Sequence, residues 1–264
     1  MLKRKSISLG WLGAIVLGVS LVGCSASSPL EATKEIRIQL NRGPLTLHDF
    51  PAKRIQPLAT IIFASGDGGW GDLEDSIALG FQARGFEIIG LDCEDYAQTD
   101  YSMDTLQSDF RKIAETVQSP YGNHKPPLIV GGYSMGAAQA IAVAGGPHPP
   151  PGLVGLLLVD PCSRGRYGLR VSDQMNVLPT GSGTFAVADF AHTLGSIRVV
   201  QWHADDDSID SRSWLDLLTA EHRAYTFPND GHSYDNNRDD FIRKLIGSVD
   251  WILSSAPASE VKSR

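Results

Sequence analysis

The sequence predicts an α/β fold in which a mostly parallel sheet is covered by helices on both faces. Short apolar runs at residues 60–64, 87–91, 128–130, 153–159 and 197–201 read as buried strands. Helix-forming segments at 73–83, 105–117, 137–142 and 238–253 separate or follow them, and strands alternating with helices imply parallel pairing with both faces buried. The chain has 264 residues, 42% of them hydrophobic, enough for one large core of the size α/β folds commonly build as a single domain.

In order along the chain, Lys3-Arg4-Lys5 precedes a mostly apolar run over 7–22, and Leu21-Val22-Gly23-Cys24 has the form of a bacterial lipoprotein signal. The expectation is cleavage of residues 1–23, lipidation of Cys24 and a small, polar tether over 24–34. Ser25 after the cysteine, where an aspartate would hint at inner-membrane retention, favours the outer membrane, so the chain reads as a cell-envelope lipoprotein facing the periplasm. The domain itself spans 35–254. It opens with alternating apolar and polar residues over 35–40 and 45–48 around Asn41-Arg42-Gly43-Pro44, a hairpin. Further strands and helices follow to 253, including a strand at 224–227 and a helix near 211–220. Residues 255–264 form a polar tail expected to be disordered. The net charge of −7 and the lack of basic blocks argue against a nucleic-acid partner.

Gly132-Tyr133-Ser134-Met135-Gly136 stands between a strand and a helix former. A serine at the apex of such a turn is exposed for attack, and glycines two before and two after it let strand and helix pass closely. Ser134 is therefore the candidate nucleophile. The loop Ser65-Gly66-Asp67-Gly68-Gly69-Trp70 follows the strand expected beside it, so the N–H groups of Met135 and Asp67 are the candidate oxyanion donors. Of seven histidines, His232 in Pro228-Asn229-Asp230-Gly231-His232 follows the last strand and precedes the terminal helix, where an imidazole can reach back to Ser134. The orienting acid should lie between them. Asp205, Asp206 and Asp207 end the penultimate strand; Asp206 is chosen, with Asp160 after 153–159 as its rival and Asp207 or Ser208 as a helix cap.

The segments Phe63-Ala64-Ser65-Gly66-Asp67-Gly68-Gly69-Trp70-Gly71-Asp72-Leu73, Gly85-Phe86 leading to Gly90-Leu91-Asp92, Gly132-Tyr133-Ser134-Met135-Gly136 and Pro228-Asn229-Asp230-Gly231-His232 resemble, in order and spacing, the bacterial virulence protein VirJ/AcvB family. The resemblance covers about residues 58–253. It implies an α/β-hydrolase fold in the periplasm, with Ser134, Asp206 and His232 as catalytic trio. It also implies hydrolysis of aminoacyl-phosphatidylglycerol, chiefly the lysyl ester, or a role assisting type IV secretion. The chain departs from the family pattern at Asp230-Gly231-His232-Ser233-Tyr234 and at Cys93-Glu94-Asp95, both expected to border the pocket.

Asp67, Asp92, Glu94 and Asp95 fall on loops at one end of the sheet, where they would attract a cationic acyl group. The connection over 162–195 is long enough for a small lid, and its Arg164, Arg166 and Arg170 would meet a lipid phosphate. No cofactor or metal is expected, because the His and Cys residues lack ligand spacing. Cys93 and Cys162 follow strands separated by two others, which makes a bridge doubtful and favours two buried free thiols. The expected partners are a phospholipid or small ester substrate, the membrane through Cys24, and a secretion-system or exported protein. An aminoacyl-lipid esterase is the leading reading; a periplasmic binding protein and a broad ester or thioester hydrolase are the alternatives.

Overall fold

Eight strands form one sheet, whose order places a turn carrying Ser134 near its middle. A computed structural model describes residues 34–175, 177–209 and 212–254. The predicted signal segment, Cys24 and the tail from 255 lie outside the described residues. Among those described, no helix is long and apolar enough to cross a membrane.

The chain begins with the expected hairpin, β1 (Lys34–Leu40) paired antiparallel with β2 (Gly43–Phe50). It continues through β3 (Thr60–Ala64), α1 (Asp72–Arg84), β4 (Glu87–Leu91), the short α2 (Cys93–Tyr96) and α3 (Met103–Gln118). Next come β5 (Leu128–Tyr133), α4 (Met135–Gly145) and β6 (Leu153–Val159). An excursion then carries β7 (Arg164–Arg166), α5 (Val171–Gln174) and β8 (Thr184–Ala186), with β7 and β8 forming their own two-stranded sheet. The chain returns to the main sheet through β9 (Arg198–Ala204), β10 (His222–Phe227) and α6 (Arg238–Leu253). The main sheet runs β1-β2-β4-β3-β5-β6-β9-β10, parallel from β4 onward.

Side chains alternate across each strand, so the sheet divides the core in two. On one face Ile62, Val130 and Leu156 pack with Phe110 and Ile113 of α3 and Ile141 of α4. On the other, Ile61, Phe63, Ile129 and Val200 pack with Phe81 of α1 and Phe241 and Leu245 of α6. Every residue of α4 is buried, which its run of alanines and glycines permits, because small side chains let the helix lie close to the strands.

Two expectations change. The helix expected near 211–220 is a single 3₁₀ turn, Ser213–Leu217, held down by Trp214, whose indole N–H donates to Gln201 (2.9 Å). The expected pair of buried thiols is one buried thiol, Cys93, and one half-buried, Cys162; no disulfide joins them, and β3 and β5 lie between their parent strands.

Candidate active site

Ser134 sits between β5 and α4 with φ 52°, ψ −115°, a left-handed conformation that a non-glycine residue rarely adopts. The strain persists because the flanking glycines admit no side chain. A Cβ on Gly136 would lie 2.3 Å from the Ala64 carbonyl oxygen, and one on Gly132 would lie 2.5 Å from the backbone carbon of Gly136. Ser134 N–H donates to the Val159 carbonyl (2.9 Å), tying the turn to the end of β6. Its hydroxyl lies against the Cys162 thiol, Oγ to Sγ 3.6 Å, a neighbour that nothing in the sequence pattern marks.

The loop after β3 is built by carboxylates. Glu74, buried in the first turn of α1, accepts N–H bonds from Gly71 (3.1 Å) and Gly66 (3.4 Å). Asp92 accepts the Trp70 N–H (3.1 Å) and caps α2 through Glu94 and Asp95 N–H. The Trp70 indole stacks on His48 at 4.7 Å and covers Gly90, where a Cβ would fall 2.3 Å from the ring. Asp67 is thereby carried to the pocket beside Ser134 and Met135. Met135 opens α4, so its N–H is one of the helix's free N-terminal donors.

His232 comes from the loop between β10 and α6. Asp230 shapes that loop: buried, it accepts the N–H groups of Asn236 (3.3 Å) and Asn237 (3.1 Å). Tyr133, next to the serine, donates its hydroxyl to the His232 carbonyl (2.9 Å) and lays its ring 4.8 Å from the imidazole.

The choice of Asp206 as orienting acid is corrected. His232 Nδ1 lies 2.7 Å from Asp207 Oδ2, and Asp206 is exposed. The reason is the turn leaving β9, where Asp207 N–H returns to the Ala204 carbonyl (3.2 Å) while Asp206 N–H is drawn to the Asp230 carbonyl (3.1 Å). The side chain turned inward is that of Asp207. Its Oδ1 also accepts the Ile209 N–H (2.8 Å), the cap-like bond that the sequence suggested for this residue.

Burial pushes the Asp207 carboxyl up, but the His232 hydrogen bond and the Ile209 N–H outweigh it and hold it below the ordinary range. Burial opposes charge on the His232 ring, and the hydrogen bond and charge of Asp207, helped by Asp160 and Asp67, outweigh it and raise the imidazole above its ordinary value. Asp160 behaves differently. Burial above all, with the charge of Asp207, pushes its carboxyl up to about 8.

Asp160, Asp207 and His232 bring ligand-type atoms within 4.8 Å of one another. Two carboxylates and an imidazole form a donor set a divalent cation accepts. Here the imidazole Nδ1 is already bonded to Asp207, so the arrangement is that of a serine-hydrolase histidine and its orienter.

These groups meet in a cavity of about 490 Å³ lined by Asp67, Ser134, Met135, Cys162, His232 and, on the excursion, residues between 164 and 179. Arg164, Arg166, Asp173 and Asp206 also line it. Asp92, Glu94 and Asp95 do not, contrary to expectation, because Asp92 is spent on the loop and on α2, and Glu94 and Asp95 are exposed on that helix. Arg166 pairs with Asp173 (Nε to Oδ2 2.9 Å) and donates to the carbonyls of Thr180 and Ser182, so it pins the excursion. Arg164 donates to the Pro179 carbonyl (3.0 Å) and to Thr184 (3.2 Å).

The fold, with a strained serine after β5 and a histidine-aspartate pair on later loops, defines an α/β hydrolase with a serine-histidine-aspartate site. Residues 59–144, from before β3 to the end of α4, match the family described as bacterial virulence protein (VirJ), which supports the family read from the motifs. The histidine and its acid lie beyond the matched segment. Among solved structures, a thermostable carboxyl esterase from Bacillus coagulans shares the fold at TM-score 0.64 and 16% identity, covering 85% of this chain and all of that one. The esterase domain of a Rhodothermus marinus protein does so at TM-score 0.63 and 16% identity, over 84% of this chain and 98% of that one. In sequence, human protein phosphatase methylesterase 1 is 25% identical over 142 residues, 51% of this chain. The match spans about a third of that relative's own length, 35%.

Proposed function

We propose that the chain is a serine ester hydrolase, and that its substrate is an aminoacyl ester of phosphatidylglycerol. The observation that carries the first part is Ser134 at a strained strand-to-helix apex, in one cavity with a His232 whose Nδ1 is fixed by Asp207. Names among the relatives, an esterase domain and a methylesterase, support the same reaction class.

The residues imply the following course. His232, its Nδ1–H directed to Asp207, keeps Nε2 free to take the Ser134 proton as Oγ attacks the ester carbonyl. The tetrahedral oxyanion would be met by the Met135 N–H, first in α4, with the Asp67 N–H on the facing loop as the second donor. His232 returns the proton to the departing alcohol, and water then attacks the acyl-serine by the same route in reverse. Asp207, charged throughout, stabilises the imidazolium that exists between these steps.

The finer substrate rests on charge. Asp67 and Asp206 line the cavity and make no ion pair with a lysine or arginine among the described residues, which suits an acyl group bearing an ammonium. Val177, Leu178 and Pro179 supply an apolar side for a lipid. The envelope location and Cys24 anchor read from the sequence would place the site at a membrane surface, and an association with a secretion system is the alternative the family resemblance offers.

The test is release of free amino acid from lysyl- and alanyl-phosphatidylglycerol in mixed micelles by the domain from Ser25 onward, beside Ser134→Ala. Turnover of the lysyl lipid that vanishes in the variant supports both parts. Turnover of short p-nitrophenyl esters alone keeps the serine hydrolase and removes the lipid substrate. Turnover of neither overturns the reading in favour of a binding protein.

A further inference from the structure

We propose that Asp160 is a positioning residue of this site: a second carboxyl that backs the Asp207–His232 pair and supplies the orienting charge when Asp207 is removed. The inference rests on the serine-hydrolase reading above.

Asp160 follows β6 with φ 42°, a strained conformation for a residue other than glycine. It is wholly buried, and its two oxygens are used unequally. Oδ1 accepts the Ala204 N–H (3.1 Å) and lies 3.2 Å from His203 Nδ1. Oδ2 is buried, and so is the Tyr234 hydroxyl, the hydrogen-bonding group beside this carboxyl. The carboxyl is strained, wholly buried and within 4.8 Å of both the Asp207 carboxylate and the His232 ring.

Two carboxylates that close in buried surroundings do not both ionise. Asp207 holds the charge because it has the imidazole and the Ile209 N–H. Asp160 keeps its proton, in line with its raised pKa. The groups facing it are Tyr133 on β5, His203 on β9, Asp207 after β9, and His232 and Tyr234 before α6. None is a lysine or arginine. His203 is nearer, but burial holds its imidazole below the ordinary range and keeps it neutral, so when Asp207 becomes neutral the cation available to stabilise a carboxylate at 160 is the His232 imidazolium. Asp160 then gives up its proton to solvent, and its charge supports that imidazolium.

The experiment compares wild type, Asp207→Asn, Asp160→Asn and the double variant in two readouts. One is the pH profile of kcat on a p-nitrophenyl ester. The other is the His232 imidazole pKa by NMR, assigned against His232→Gln, which needs no turnover. Loss of an orienting aspartate where no substitute exists costs about 10⁴-fold in kcat. Here Asp207→Asn should lose only about 10²-fold, the double variant about 10⁴-fold, and the His232 pKa should stay raised in the first and fall in the second. Asparagine tolerates the positive φ, and Asp160→Gly, which suits it better, replaces it if the amide fails to fold. Equal kcat and equal His232 pKa in Asp207→Asn and the double variant overturn the proposal. If wild type hydrolyses no ester, the serine-hydrolase reading fails separately, and the NMR comparison alone decides whether Asp160 charges in place of Asp207.

Discussion

Asp207 Oδ2 stands 2.7 Å from His232 Nδ1, so the acid that orients the imidazole is the third of three consecutive aspartates. The other two serve elsewhere. Asp205 accepts the Asp230 N–H (3.3 Å) and steadies the histidine loop, and Asp206 is exposed at the cavity wall. Asp207→Asn should therefore lose about 10²-fold in kcat/KM, while Asp206→Asn, which leaves the imidazole's partner intact, should stay within about threefold on a neutral ester. Steady-state kinetics of the two variants on p-nitrophenyl acetate distinguishes them. On a cationic aminoacyl ester Asp206→Asn should raise KM, because a carboxylate facing the acyl group is removed.

The upward displacement of His232 sets the direction of the pH dependence. Attack needs the neutral imidazole, so kcat/KM falls as pH drops through the folded-state pKa, and the midpoint lies above the ordinary histidine value. Stability moves the other way. A histidine whose pKa is raised by folding contributes most below its unfolded pKa, and that contribution is lost as pH rises through the folded one. The expected outcome is an acidic limb of kcat/KM that moves to lower pH when both Asp207 and Asp160 are changed to asparagine, measured by stopped-flow over the pH range in which the protein stays folded.

Asp160 makes a separate prediction about stability. Its pKa rises from 3.8 to about 8 on folding, so between these values the native state holds a proton that the unfolded chain has released. Stability attributable to this group is fully present below pH 3.8 and declines until about pH 8. Asp160→Asn lacks the decline. Its Tm relative to wild type should climb steadily as pH is raised across that window; a difference that stays flat with pH would show that Asp160 ionises normally.

The parts of the site legible in the sequence are those enforced by backbone geometry. Gly132 and Gly136 flank Ser134 because a Cβ at either position collides with backbone, and such a constraint leaves a fixed spacing in the chain. His232 was legible from its place after the last strand and before α6. Asp207 was not. Which of three adjacent aspartates turns inward depends on the turn made by Asp207 N–H with Ala204 and on the hold of Asp230 on Asp206, two contacts that span different loops. The same applies to Cys162 and Tyr133, which reach the site only through tertiary packing. In the fold, long periodic elements such as α3 and α6 were plain, whereas β7 and β8 are three residues each and are tied by Arg164 on Thr184 and by the Phe185 ring over Gly165 rather than by any pattern.

Gly136→Ala tests how tightly the nucleophile turn is packed. The added methyl would meet the carbonyl oxygens of Ala64 and Ser65 at 2.3 and 2.4 Å, and both belong to the strand end that carries the oxyanion loop. Overpacking against backbone has no flexible side chain to give way, so the expected loss is about 3 kcal/mol or more. Urea denaturation should show a lower midpoint with an unchanged slope. The residual activity of the folded fraction should fall as well, because the turn and the Asp67 loop are displaced together.

Arg166 and Asp173 form an ion pair in the lining of the cavity. Their side chains are only 12% and 7% exposed, and Asp173 Oδ2 also accepts the Arg170 N–H (3.0 Å), so this one carboxylate ties β7 to α5. Removing the arginine strands a largely buried charge, at a cost of about 3 kcal/mol that falls on the excursion rather than on the main sheet. Arg166→Ala should therefore leave global unfolding nearly unchanged while opening residues 170–184 to limited proteolysis. KM for a lipid ester should rise and kcat should hold, since Ser134, His232 and Asp207 take no support from this pair. Arg166→Lys should fail to restore the wall, because a single ammonium cannot serve Asp173 and the carbonyls of Thr180 and Ser182 at once.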